Sequence, residues 1–335
     1  MKDYFKGLLF ILLTVCSISA QDRQFKKPLT SLAFGSCNRT DLNPIIWNAI
    51  ADKQPEVWVW LGDIVYTDAG SMEDLESKYT IQKQLPAYQR LKNQSQVYGV
   101  WDDHDFGAND AGSTFEQKIT SRELLFDFLD LPPNHMARQR EGAYQSYCFG
   151  EAEQKLCLYL LDVRYFKEPY EVDPNPSQRY KKNEGMLLGE AQWQWLESQL
   201  AKDNAKIHLF GGGIQLLSPE HPYEKWANFP KAQKRFIDLL EKNKIQTPIY
   251  LSGDRHIAEI SARELKSKST LYDVTSSGLT HSYDSLKEEV NPFRISPLIT
   301  HLNFGMLQIN WEKSILQVQI LDVEGNPSTV HNILF

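Results

Sequence analysis

The sequence predicts a mixed α/β fold in which strands alternate with helices and a strand-rich segment follows. Three observations predict it. Continuous apolar runs such as Val57 to Leu61 have strand length and the character of strands buried on both faces. Amphipathic stretches of helical length separate them, among them Gly189 to Leu200 and Pro230 to Glu241. After Leu251 the pattern changes to a succession of strands, at 258–263, 270–275, 304–310 and 315–321. Alternation followed by strands calls for layers of helix against sheet.

The elements follow in order. Leu29 to Ser36 reads as a strand ending in Gly35-Ser36-Cys37. Pro44 to Lys53 reads as a helix with proline near its start. The strand Val57 to Leu61 runs into Gly62-Asp63, and a charged helical stretch covers Met72 to Leu91. Val97 to Trp101 is a strand ending in Asp102-Asp103-His104-Asp105, and residues 115–129 have helical character. Tyr144 to Phe149 and Lys155 to Asp162 form a hairpin around Gly150 to Gln154. Lys206 to Phe210 is a strand running into three glycines, and Thr247 to Leu251 is a strand ending in Ser252-Gly253-Asp254. Residues 164–185 and 277–300 carry proline, tyrosine and charge without period, as long loops at a functional rim do.

Residues 1–20 have the layout of a secretory signal: Lys2 and Lys6, an apolar stretch from Leu8 to Val15, then small residues up to Ala20. The apolar stretch is short for a membrane span. Cleavage near Ala20 is expected, with lipid attachment at Cys16 the weaker alternative because Val15 is not small. The remaining residues, 21–335, are expected to form a single domain, with no transmembrane segment. The formal charge of −7 argues against a nucleic-acid-binding module. Beyond the leader the cysteines are Cys37, Cys148 and Cys157. Cys148 and Cys157 face each other across the hairpin, either as a disulfide or as two buried thiols, and Cys37 is left over.

Four strand ends share one feature. Each apolar strand stops and presents side chains able to hold a metal: Cys37, Asp63 with Tyr66, Asp103 with His104, and Asp254 with His256. Ligands bind beyond the carboxyl ends of strands in open α/β sheets. One such aspartate is an ordinary turn residue; four together point to a site. Asp63 has two oxygens with which to bridge two cations, and Tyr66 lies one turn on; the alternative is a turn cap with a packed tyrosine. In Asp102-Asp103-His104-Asp105, three carboxylates repel unless cations or hydrogen bonds compensate. Asp103 is the ligand candidate there and His104 the acid or oxyanion partner. Asn109 and Asp110 close the loop or bind cation. Alternation aims Asp254 and His256 one way and Arg255 the other, toward a phosphate oxygen or a carboxylate.

These segments together resemble the alkaline phosphatase D (PhoD-like) family of metallophosphoesterases. The matching runs are Phe34 to Cys37, Gly62 to Tyr66, Trp101 to Asp110 and Leu251 to His256, with Gly213 to Leu216 and Thr275 to Leu279 also similar. The resemblance implies a four-layer αββα sandwich with mixed sheets. It implies hydrolysis of phosphodiesters, phosphomonoesters or both by a metal-activated water at a two-metal site. It implies ferric iron held by Cys37, Asp63, Tyr66 and His256, and calcium or another divalent cation near Asp63, Asp103 and Asp254. In that frame Asp63, His104 and Arg255 are the catalytic candidates. Asn109, Gln215, His221 and His281 are the substrate-binding candidates, with an exposed-loop alternative for His221. The aromatic set Trp226, Phe229, Tyr283 and Phe293 offers a wall for a substrate tail or ordinary core. The substrate is expected to be a small-molecule or lipid phosphoester. The competing readings are a phospholipase D-like phosphodiesterase on the same site and a non-catalytic secreted protein that binds metal or phosphate.

Overall fold

A computed structural model describes residues 23–67, 71–175 and 177–335. The signal sequence read in residues 1–20, Cys16 included, lies outside the described residues. The strands and helices in chain order are β1 (Arg23–Phe25), β2 (Ser31–Gly35), α1 (Ile46–Asp52), β3 (Val57–Leu61), α2 (Met72–Gln84), α3 (Pro86–Gln94), β4 (Gln96–Val100), α4 (Asp103–Phe106), α5 (Lys118–Phe128), β5 (Gln145–Phe149), β6 (Leu156–Leu160), α6 (Glu190–Leu200), β7 (Ile207–Gly212), α7 (Pro230–Lys242), β8 (Pro248–Ser252), β9 (Ala258–Glu264), β10 (Thr270–Ser276), β11 (Phe304–Asn310), β12 (Ile315–Leu321) and β13 (Pro327–Leu334). No helix among the described residues is long and apolar enough to cross a membrane.

Two mixed sheets form. One has seven strands in the order β1-β5-β6-β7-β8-β10-β9, the other six in the order β13-β12-β11-β2-β3-β4. Parallel pairing runs through β6-β7-β8-β10 in one sheet and through β2-β3-β4, out to the β4 edge, in the other; the junctions β5–β6, β10–β9 and β2–β11 are antiparallel. Side-chain alternation then assigns the faces. Val57, Val59 and Leu61 of β3 share one core with Leu156, Leu158 and Leu160 of β6. On the other face of β3, Trp58 and Trp60 pack on Trp47 of α1, and Trp60 reaches Tyr88 of α3. Each such aromatic pair adds about 0.5–1.5 kcal/mol beyond its buried area. On the other face of β6, Cys157 and Tyr159 join Trp193, Leu196 and Leu200 of α6 and Phe236, Leu239 and Leu240 of α7 in a second core. The layers are therefore helix, sheet, sheet, helix: the αββα sandwich.

The structure departs from the sequence reading in specific places. The expected single helix at 72–91 is two, α2 and α3, broken at Leu85. Leu85 is extended (ψ 123°) because the Pro86 ring excludes a helical conformation before it, and Pro86 then begins the next helix at N1. The short β1 and the polar edge strand β13 were not anticipated. The Asp102 to Asp105 run is not a plain turn: residues 103–106 form one helical turn, and Asp105 Oδ1 accepts from the Asp102 N–H at 2.8 Å. The hairpin is as expected, with Cys148 opposite Cys157 in β5 and β6, and the two form a disulfide.

Candidate metal centre

The parallel strands aim their carboxyl ends at one edge of the sandwich. Cys37 follows β2, Asp63 follows β3, Asp102 and Asp103 follow β4, Arg164 follows β6, and Asp254 follows β8. Two glycines allow the close approach. A Cβ on Gly62 (φ +86°) would lie 2.3 Å from the Asp102 Cβ, and one on Gly213 would lie 2.2 Å from the Asp102 carboxyl carbon. The chain bends sharply on leaving these strands: Cys37, Asp63, Asp110, Asp254 and His256 all have φ between 49° and 66°. Non-glycine residues enter that region at a cost and concentrate there at functional sites.

Asp63 is the hinge of the arrangement. Its Oδ2 accepts from the Tyr66 hydroxyl at 2.8 Å and from the Cys37 thiol at 3.5 Å. The Tyr66 oxygen is 3.1 Å from His256 Nε2. Cys37, Asp63 and His256 thus place donor atoms within 4.8 Å of one another, as do Asp63, Asp103 and His104, and Asp102, Asp103 and Asp254. Asp103 is held by the backbone N–H groups of His104 and Asp110, both at 2.8 Å. His104 stacks on Tyr66 with ring centres 4.1 Å apart, and its buried Nδ1 has no hydrogen-bond partner.

The electrostatics call for cations. Burial and Asp63 push the Cys37 thiol up; burial and the aspartates 103, 102 and 105 push Asp63 up; burial and Asp63 push the Tyr66 phenol up. Burial, with Asp103 and Glu224 adding to it, raises Asp254. Burial, then His281 and Arg255, lowers His256 to about 3. Arg164 offsets part of the excess charge: fully buried, it pairs with Asp102 and takes Glu224 at 2.7 and 2.6 Å. Even so, Asp102 keeps a buried oxygen, Oδ2, without a partner. Free thiol, phenol and imidazole around a carboxylate suit a transition metal, and a set of carboxylates suits a hard cation. The residues therefore fit the metals of a two-cation site.

The candidates from the sequence distribute as follows. Asp63, Asp103, His104, Asn109, Asp254, Arg255 and His256 line one small pocket of about 80 Å³. Cys37 and Tyr66 stand behind it through their contacts with Asp63, and His281 packs edge-on against Tyr66 and His256 at 5.1 and 4.3 Å. The expectation that Arg255 points away from its neighbours fails, because 254–256 is a bend and not a strand. Arg255 lines the same pocket, buried, with Nη2 2.5 Å from Glu289 and its guanidinium 4.6 Å from the Tyr223 ring. Gln215 is not brought to the pocket; it donates to Glu259 at 2.9 Å and Thr275 at 2.7 Å beneath the sheet. His221 is buried rather than on an exposed loop, and it does not line the pocket. Of the aromatic set, Tyr283 lines the pocket while Trp226 and Phe229 are core.

Four participants escaped the sequence reading: Arg164, Arg179, Tyr223 and Glu224. Arg164 had a signal, since Asp162-Val163-Arg164 follows an apolar strand like the other strand ends. The other three lie in stretches without period.

Comparison with known proteins bears on the fold and the family. A family model described as PhoD-like phosphatase matches residues 32–284. A search of curated proteins finds no match. Among solved structures, the chain is similar to one titled as the structure of PhoD, with TM-score 0.70, 15% identity and coverage of 92% of this chain and 69% of that one. It is similar to GAP50, titled the anchor in the inner membrane complex of Plasmodium (TM-score 0.56, 15% identity, 92% and 90% covered). It is also similar to a dimetal phosphatase from Danio rerio (TM-score 0.51, 11% identity, 92% and 100% covered). At these identities the three structures bear on the fold. The family match spans most of the chain and takes in every strand end that carries a donor, and so the chain belongs to the PhoD-like phosphatases, a family of metal-dependent phosphoesterases.

Proposed function

We propose that the protein, as one catalytic domain over residues 21–335, hydrolyses phosphodiesters, phosphomonoesters or both at a two-cation centre. Cys37, Asp63, Tyr66 and His256 would hold ferric iron; Asp63, Asp103 and Asp254 would hold calcium or another divalent cation. Bound there, the cations would supply Lewis-acid polarisation of the phosphoryl group and would make hydroxide available near neutral pH. The chain's own residues do the rest. His104, which lines the pocket and packs against Tyr66, donates a proton or hydrogen bond to the phosphoryl or leaving oxygen. Arg164 holds Asp102 in place, and Glu289 holds Arg255 at the pocket wall. Asn109 lines the pocket as a substrate contact, whereas His281, packed on Tyr66 and His256, and Gln215, bonded to Glu259 and Thr275, lie outside its lining together with His221.

The observation that carries this reading is that Asp63 belongs to two donor groups, one with Cys37 and His256 and one with Asp103 and His104. The fold alone does not carry it, since the fold also serves a protein titled an anchor. Secretion, with the leader removed near Ala20, is supported by the Cys148–Cys157 disulfide, which persists in oxidising compartments.

The test is elemental analysis of the purified protein together with assays on a bis-aryl phosphodiester, an aryl phosphomonoester and a phospholipid. Asp63→Asn and Asp63→Ala should lose both metal and hydrolysis. Full activity in either variant, or a metal-loaded wild type that cleaves none of the three substrates, ends the proposal. Cleavage of the phospholipid alone would favour the phospholipase D-like reading.

A further inference from the structure

Among the described residues that line the pocket, two carry guanidinium groups, Arg179 and Arg255. Their situations differ. Arg255 is buried and already neutralised by Glu289. Arg179 is 47% exposed at the mouth, where its Nη2 lies 3.0 Å from Asp110 Oδ2. Asp110 in turn shares a group of donor atoms within 4.8 Å with Asp103 and Glu224, so the guanidinium sits one carboxylate away from the proposed centre.

The backbone at Arg179 is fixed. Its N–H donates to the Pro222 carbonyl at 2.9 Å, and its carbonyl accepts from Asp173 N at 3.1 Å. Val172 and Tyr180 form an antiparallel bridge, and Tyr180 stacks on Tyr170 with ring centres 4.2 Å apart. The guanidinium, which packs 5.3 Å from the centre of the Tyr180 ring, is the part left to move. Its present partner does not depend on it: the same Oδ2 of Asp110 also accepts from the Tyr180 hydroxyl and, at 2.6 Å, from Asn109 Nδ2. A half-exposed ion pair contributes little to stability, so exchanging it costs little.

We propose that Arg179 is a specificity residue, which exchanges Asp110 for the outermost phosphoryl oxygen of a phosphomonoester dianion. The chemistry follows from in-line displacement. Three oxygens lie around the phosphorus between the attacking and leaving atoms. In a monoester all three are non-bridging and share charge. In a diester one of them carries the second ester group. Two non-bridging oxygens would be served by the proposed centre in either case; the third would face the mouth, where the fork of N–H donors of Arg179 suits it in a monoester and has nothing charged to bind in a diester. The inference rests on the proposed phosphoesterase activity and names which esters it favours.

The experiment compares an aryl monoester and a bis-aryl diester with the same leaving group, in wild type, Arg179→Ala and Arg179→Lys. The alanine variant should lower kcat/KM for the monoester about 10- to 100-fold, with a loss on the diester at least about tenfold smaller. Lysine, a charge without the fork, should recover part of the monoester rate. Calorimetry with inorganic phosphate supplies a readout that needs no turnover: its Kd should weaken about tenfold in Arg179→Ala, and that for dimethyl phosphate much less. Equal losses on both esters, or no change in either measurement, overturn the role of Arg179. If wild type binds phosphate through Arg179 yet cleaves neither ester, the phosphoesterase reading fails and the anion contact stands.

Discussion

Replacing Arg164 by methionine tests whether the acidic floor of the pocket is held by one buried cation. The guanidinium is fully buried and makes three charge-assisted hydrogen bonds, one to Asp102 and two to Glu224. Methionine fills the stem but leaves the buried Asp102 and Glu224 carboxylates without their shared cation. Breaking a buried pair by removing one partner costs about 3–5 kcal/mol. Lys167, 3.6 Å from Glu224, softens the loss and places it toward the lower end. A chain of 335 residues unfolds with an entropy of roughly 0.7 kcal/mol/K, so the melting temperature should fall by about 4–7 °C. The assay is urea and thermal unfolding of metal-free protein. Adding Glu224→Gln should return about 1–2 kcal/mol, because the second unpaired charge is gone. A loss below about 1 kcal/mol, the size of a surface pair, would refute the argument.

Three further outcomes follow. His104→Ala should keep its metal by elemental analysis yet lose about 10²–10⁴-fold in kcat, and unchanged turnover removes its role. Burial works against the Asp203 charge, but His208, Tyr159 and Lys155 hold its carboxyl below the usual carboxylate range. A depressed folded pKa stabilises the ionised fold, so that contribution is complete above about pH 4 and is lost as pH falls further. Asp203→Asn should therefore flatten stability below pH 4 in urea titrations, and parallel curves for the two proteins would contradict this. The disulfide joins residues 9 apart, and closing so short a loop contributes about 2–3 kcal/mol, so Cys148→Ser with Cys157→Ser should lower the urea midpoint accordingly.

How legible these features were depends on whether local pattern or distant partnership decides them. The run Val57 to Leu61 announced a strand because both its faces are buried. Cys37, Asp63, Asp103 and Asp254 were visible because each stands directly after such a strand, where topology alone carries it to the shared edge. β13 was not visible, since an edge strand with Val330 and Leu334 exposed has no core to impose a period. Arg164 and Glu224 are 60 residues apart and meet through loops without a repeat, so nothing local marks them as partners. The break at Pro86 is carried by the local sequence, because proline excludes a helical residue before it and so divides α2 from α3.

The left-handed bends at Cys37, Asp63, Asp254 and His256 have a consequence for how the centre comes into being. Each is a conformation that an L-residue adopts only at about 1–2 kcal/mol, and the packed strands beneath bear that cost during folding. The aim of each donor is thus cast in the main chain before an ion arrives. If the centre loads cations as proposed, the main chain should change little between the metal-free and the metal-loaded protein, and side-chain rotation with loss of protons should account for the difference.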